Sequence, residues 1–221
     1  TLPTGTSSAA PLKVVAGTNL TTPAYGSIEA TTDALFITTN PGSTTTGPGR
    51  GIVHAPQMIV SLANSTNATS TTGVSAFASA NDTLSVLTAA KLYRFKGKYY
   101  VSYTANSTSN AVNLLFAFSN APQAIKYNFK TYPQTAASSF NLVGASSTTA
   151  NTAVSAVSAV DTSYVVEFEG YFVSHASSTS TLIPQISQSG TTSATAVTAG
   201  SWFEVAKIGT STQTLIAGNW A

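Results

Sequence analysis

Leu92-Tyr93-Arg94-Phe95-Lys96-Gly97-Lys98-Tyr99-Tyr100-Val101-Ser102 and Val165-Val166-Glu167-Phe168-Glu169-Gly170-Tyr171-Phe172-Val173-Ser174 are two copies of one pattern. They match at Phe-charge-Gly and again at aromatic-Val-Ser, with one residue deleted between these blocks. In the second copy Val166, Phe168, Gly170 and Phe172 share one face, and Glu167, Glu169 and Tyr171 share the other. That period of two is the mark of a half-buried strand. Each copy runs into a small-polar turn (104–110 and 176–181) and then an apolar stretch (112–118 and 182–186). The spacing predicts two β-hairpins of the same pattern in a sandwich built from two related halves. Phe95 and Phe168 should be buried, with Gly97 and Gly170 inward where a neighbouring group passes close to the backbone. The outward faces carry Arg94, Lys96 and Lys98 on one copy and Glu167 and Glu169 on the other. Opposite signs at matching positions predict cross-strand or cross-subunit pairing.

Working outward, residues 86–221 read as a run of strands at 91–104, 111–118, 123–131, 139–143, 152–159, 163–175, 181–187 and 194–208. Turn signals separate them at Ser119-Asn120-Ala121-Pro122, Thr131-Tyr132-Pro133, Ser189-Gly190 and Ala199-Gly200. The number and spacing of strands suit a jelly-roll-like sandwich. Residues 1–85 differ. They offer short strand candidates (12–15, 26–29, 35–38 and 58–62) between polar or glycine-proline stretches, and residues 40–50 read as a loop. With only Tyr25, Phe36 and Phe77 as aromatics, this segment reads as an arm that packs against partner subunits. The expected fold class is therefore all-β: an antiparallel jelly-roll-like sandwich over 86–221, preceded by an extended, β-rich N-terminal arm over 1–85.

Composition narrows the function. Of 221 residues, 43% are hydrophobic and only 7% charged, against about 25% charged in ordinary domains. Ser and Thr supply the polar surface instead. The net charge is +2, and Arg94, Lys96 and Lys98 form the only basic cluster, too small a footprint for a nucleic-acid partner. The absence of cysteine removes disulfide frameworks and thiolate metal sites. No apolar stretch is long enough for a membrane span, so no membrane insertion is expected. The chain opens at Thr1 without a basic-then-apolar leader, which reads as a processed or trimmed start.

Thr22-Pro23-Ala24-Tyr25-Gly26-Ser27-Ile28-Glu29-Ala30, then Ala34-Leu35-Phe36-Ile37-Thr38, then Arg50-Gly51-Ile52-Val53, resembles an element recurrent in tailed-bacteriophage fibre and appendage proteins. There, small-Gly-small-Ile/Leu-Glu leads through a polar turn to a short apolar strand ending in Thr, and then to an Arg. The later pattern looks like the head domains that follow it in virion proteins, including a closing Ala-Gly-Ser-aromatic strand, here Ala199-Gly200-Ser201-Trp202-Phe203-Glu204-Val205. The chain departs from that pattern in its Ser/Thr/Ala content and at Ala30-Thr31-Thr32-Asp33. The resemblance implies a virion protein of the tail-fibre, head-fibre or capsid-decoration type, usually homotrimeric and located at the particle surface. Its implied partners are other virion proteins and a host-surface glycan or receptor.

Several residue constellations admit a chemical role beside a plainer explanation. Glu167 and Glu169 stand roughly 6.5–7 Å apart as i and i+2 of one strand, a separation seen for paired glycosidase carboxylates. Such enzymes set their acids on different elements around a cleft, so two solvent-facing acids are the preferred reading. His54 and His175 could complete a Ser/His/Asp triad with Asp33, Asp82 or Asp161, yet no Gly-x-Ser-x-Gly elbow accompanies them. Gly47-Pro48-Gly49-Arg50-Gly51 lacks the Lys-Ser/Thr ending of a phosphate loop. Tyr99, Tyr100, Tyr103, Tyr127, Tyr132, Tyr171, Trp202 and Trp220 could form a sugar platform, although alternation assigns most of them to core or subunit contacts. No catalytic, cofactor-binding or metal residue is assigned. The expectation is a non-enzymatic structural protein of a phage virion, a homotrimeric fibre or surface appendage. The alternatives are a receptor- or glycan-binding adhesin head and a secreted carbohydrate-active module.

Overall fold

The computed structural model describes residues 10, 12–18, 20, 23–31, 35–40, 49–53, 56–77, 83–104, 112–133, 141–147, 154–155, 163–191 and 194–211. Every regular element among them is a strand. The chain is all-β, as its alternation and its β-branched and aromatic content dictate. It divides into two units, Thr1–Ala55 with Lys207–Ala221, and Pro56–Ala206.

In the first unit β1 (Ile28–Ala30), β2 (Leu35–Asn40) and β3 (Gly49–Val53) form an antiparallel sheet in the order β1-β2-β3. Ile28 pairs with Ile37, Ala30 with Leu35, and Leu35 with Val53, so these residues share a face by strand parity. The opposite face carries Glu29, Phe36 and Thr38, all buried. Leu20 N donates to Glu29 Oε1 at 2.6 Å, giving the buried carboxylate a partner. Two expectations change here. Residues 12–15 form no strand, and the ends of the expected 40–50 loop belong to β2 and β3, residues 41–48 lying outside the described residues.

The second unit is an antiparallel sandwich. Its strands are β4 (Gln57–Val60), β5 (Val74–Ser75), β6 (Leu84–Leu87), β7 (Lys91–Thr104), β8 (Val112–Phe118), β9 (Ala124–Pro133), β10 (Asn141–Ser147), β11 (Val154–Ser155), β12 (Ser163–Val173), β13 (Ser180–Gln188), β14 (Ala194–Val197) and the first part, to Ala206, of β15 (Trp202–Thr210). The larger sheet has the order β10-β9-β12-β7-β15-β4, with β14 also on β7, and the smaller has β11-β8-β13-β5, with β6 also on β13. Strands β4 and β5, from before residue 86, and β6, which straddles it, are thus hydrogen-bonded into the sandwich sheets. The pairings β7·β14, β8·β13 and β9·β12 nest inside one another, as in an antiparallel ribbon folded across two sheets.

The repeated pattern pairs with itself. β7 and β12 are neighbours in the larger sheet, while the runs that follow them, β8 and β13, are neighbours in the smaller. Each copy therefore sends one strand to each sheet, and the hairpin expectation is corrected: pairing runs between copies. Burial explains this arrangement. Each strand has one apolar face, and crossing to the opposite sheet lets the faces of both strands meet in one core. Phe95 and Phe168 are 1% and 4% exposed, packed with Phe116 and Tyr127 from the two sheets at ring separations of 4.9–6.4 Å. Buried polar groups tie the edges. Gln188 Nε2 donates to Ala68 O and Thr195 Oγ1, each at 2.8 Å. Ser174 Oγ accepts from Lys91 N at 2.9 Å and donates to Thr88 O at 2.6 Å.

Candidate functional site

Alternation along four adjacent strands of the larger sheet sorts the chain's scarce charge onto one surface. Of nine basic and seven acidic residues, eight stand on its outer face: Arg94, Lys96 and Lys98 on β7, Lys126 and Lys130 on β9, Glu167 and Glu169 on β12, and Glu204 on β15. The inward positions between them are Phe95, Gly97 and Tyr99, Tyr127 and Phe129, Phe168 and Gly170, and Phe203 and Val205. The register sets the charges in rows across the sheet. Lys130, Glu167 and Lys98 are successive cross-strand partners, and so are Asn128, Glu169 and Lys96.

These rows are joined by ion pairs. Lys98 Nζ lies 3.0 Å from Glu167 Oε1, Lys96 Nζ lies 3.1 Å from Glu204 Oε1, and Arg94 Nη2 lies 3.9 Å from Glu169 Oε2. The predicted pairing of opposite signs is thus present within one chain. Its hydrogen bond to Glu167 holds the Lys98 ammonium above the ordinary lysine pKa of 10.5, with partial desolvation opposing and Tyr100 reinforcing. Aromatic rings lie under two of the cations: Lys96 Nζ is 5.7 Å from the Trp202 ring centre and Lys98 Nζ is 5.5 Å from that of Tyr100.

Trp202 reaches this face through a local device. The expected strand 194–208 is interrupted at Thr198-Ala199-Gly200-Ser201, which separates β14 from β15. Gly200 takes φ +89°, a region that disfavours any residue with a Cβ. Ser201 Oγ accepts from Tyr100 N at 2.9 Å and Thr198 N donates to Tyr100 O at 2.7 Å, so β7 keeps its backbone partners across the break. The chain then re-enters the sheet with Trp202 and Glu204 outward and Phe203 and Val205 buried.

Between these walls lies an open trough of about 330 Å³, lined by Lys96, Lys98, Asn128, Lys130, Glu167, Glu169 and Trp202, with Gly97, Phe129 and Phe168 beneath. Sequence reasoning found the charges of β7 and β12. It did not assemble Asn128, Lys130, Glu204 and Trp202 with them, because only long-range register does so.

The other candidates fall elsewhere. Glu167 and Glu169 face cations from neighbouring strands and stand side by side on one strand, without the two-sided placement that glycosidic cleavage uses. His175 Nδ1 accepts from Ser177 N and Ser178 N at 3.3 and 3.0 Å, so it caps the turn before β13. Tyr99 and Tyr127 are core residues, Tyr171 is exposed, and Tyr100, Tyr132 and Trp202 are partly buried. His54, Asp33, Asp82, Asp161, Gly47, Pro48 and Trp220 lie outside the described residues, as does the side chain of Tyr103. Among the described residues no three His, Cys, Asp or Glu side chains gather to hold a metal. Comparison of the chain with protein-family models, with curated proteins and with solved structures finds no match.

Proposed function

We propose that this chain is a non-enzymatic structural protein of a bacteriophage virion, a homotrimeric fibre or surface appendage of the tail-fibre, head-fibre or capsid-decoration type. In this reading the sandwich is a jelly-roll-like head displayed at the particle surface, and the three-stranded sheet mediates assembly. The observation that carries the reading is the bare face of that sheet. Ile28, Ala30, Leu35, Ile37 and Val53 stand together on it without a single charge, and Ile28, Ile37 and Val53 are 51%, 38% and 36% exposed. Contiguous apolar surface of this kind marks an interaction site. A surface without charge is matched best by another without charge, and a second and third copy of the same chain supply one by symmetry. The nested strand pairing of the sandwich supports the jelly-roll part of the proposal, and the resemblance of residues 22–53 to appendage proteins supports the virion part.

Light scattering coupled to size exclusion should give three times the 22.6 kDa chain mass. Ile37→Lys should yield monomers that keep the near-ultraviolet circular dichroism of the sandwich aromatics. A wild-type chain that runs as a monomer, or an Ile37→Lys variant that still trimerises, would overturn the assembly reading. Mass spectrometry of purified particles tests the virion reading, which fails if the chain is absent from them.

A further inference from the structure

We infer that the trough on the outer face of the larger sheet is a binding site for an acidic saccharide, a sugar chain that carries a carboxylate. A sugar ring has apolar C–H faces and a rim of hydroxyls that donate and accept together, so its site needs an aromatic wall and fixed groups of both polarities. The trough has these. Trp202 forms the wall, ammonium and amide donors come from Lys96, Lys98, Lys130 and Asn128, and carboxylate acceptors come from Glu167 and Glu169. Its volume of about 330 Å³ falls at the small end of ligand sites, about 300–1,000 Å³. From β9 to β15 it crosses three strand spacings, roughly 14 Å, enough for a short run of sugar rings.

The acceptors and donors are already oriented. Lys98 and Glu167 hold each other at 3.0 Å, and Lys96 is held by Glu204 at 3.1 Å over the Trp202 ring. Little side-chain freedom remains to be lost on binding, which favours affinity. With the ion-pair partners Arg94 and Glu204 counted, four cations (Arg94, Lys96, Lys98 and Lys130) face three carboxylates (Glu167, Glu169 and Glu204), which leaves one positive charge in excess, a place for one carboxylate. A nucleic-acid strand brings a phosphate at every nucleotide and would meet Glu167 and Glu169, so the mixed signs select against it. The inference goes beyond the assembly proposal and does not depend on it, since every lining residue belongs to the Pro56–Ala206 unit.

The test uses the full chain with Trp220→Phe, so that Trp202 is the only tryptophan. Oligogalacturonate is titrated at low salt, with maltohexaose as the neutral control and a single-stranded oligonucleotide as the polyanion control. Saturable quenching of Trp202 by oligogalacturonate is expected, confirmed by calorimetry and weakened by salt. Trp202→Ala, measured by calorimetry, should lose about tenfold in affinity or more, and Lys130→Gln about threefold to tenfold, from the loss of stacking and of a charged hydrogen bond. Tyr171→Ala, outside the trough, should bind as the parent does. No binding of oligogalacturonate, equal binding of maltohexaose or of the oligonucleotide, or unaltered affinity in both Trp202→Ala and Lys130→Gln would overturn the inference. Because Lys130→Gln changes an exposed side chain, its result stands even if Trp202→Ala fails to fold. Loss of trimerisation with binding intact would count against the assembly proposal alone.

Discussion

Phe168 is the cross-strand partner of Gly97, and its ring occupies the space that a side chain at 97 would need. Gly170 is in turn the cross-strand partner of Phe95, but the space a side chain there would need is filled by the Lys126 carbonyl and by Tyr127 of β9. Each copy of the pattern gives up a side chain where a neighbouring strand packs close, the Phe168 ring at Gly97 and the β9 backbone at Gly170.

This close packing sets the cost of filling either glycine. A Cβ at Gly97 would press on the Phe168 ring and lie 2.9 Å from the Trp202 carbonyl oxygen, while a Cβ at Gly170 would press on the Lys126 carbonyl oxygen and on Tyr127. Gly97→Ala should destabilise the sandwich by about 1–3 kcal/mol, as overpacking does. Gly170→Ala should cost more, because backbone cannot turn aside as a ring can. Urea unfolding followed by fluorescence measures both, and a neutral Gly170→Ala would contradict the packing described.

The Lys98–Glu167 pair should be real but small. Both side chains remain partly open to water, at 30% and 43% exposure, where solvent screens an ion pair and leaves it little net effect. A double-mutant cycle with Lys98→Gln and Glu167→Gln should return a small favourable coupling that shrinks at high salt. A coupling of zero at low salt would mean that the geometry carries no energy.

Alkaline pH should unfold the sandwich through its buried phenols. Burial pushes Tyr127 up to about 12 and Tyr99 well above the ordinary tyrosine value of 10.0. Above pH 10 the unfolded chain releases protons that the folded chain keeps, so stability falls as pH rises from about 10 toward 12. The slope is about 1.4 kcal/mol per pH unit for each such tyrosine. Below pH 9 these groups contribute no pH dependence. Urea midpoints at about pH 8, 10 and 11 should trace this fall, and Tyr99→Phe should make it shallower. A midpoint that is flat to pH 11 would rule out the burial of both hydroxyls.

Much of the fold could be read from residues taken one strand at a time. The faces of β7 and β12, the burial of Phe95 and Phe168 and the inward glycines all follow from alternation. So does the outward placing of the charges, and two ion pairs, Lys98–Glu167 and Arg94–Glu169, join the groups whose signs predicted it, whereas Lys96 pairs with Glu204 of β15. Alternation tells which face a residue takes and is silent on which strand lies beside it. For that reason the strand after each copy read as the arm of a hairpin, although β8 and β13 pair with each other. The short β5 and β6, two and four residues long, carry too little pattern to register alone. The trough was illegible for the same cause, since Asn128 and Trp202 come to Lys96 only through partners far along the chain.

The opposite signs on β7 and β12 have a consequence wherever two unfolded chains meet. Newly made chains held at high local concentration offer one another the same strands, and a β7 could seek the β7 of its neighbour. Phe and Gly would still interlock in such a match, because both copies carry the same Phe-charge-Gly core. The flanking charges would not: lysine would face lysine, or glutamate would face glutamate, and like charges directly opposite are destabilising. The opposition of sign therefore works as an address that matches a β7 with a β12 and disfavours the pairing of like strands between chains.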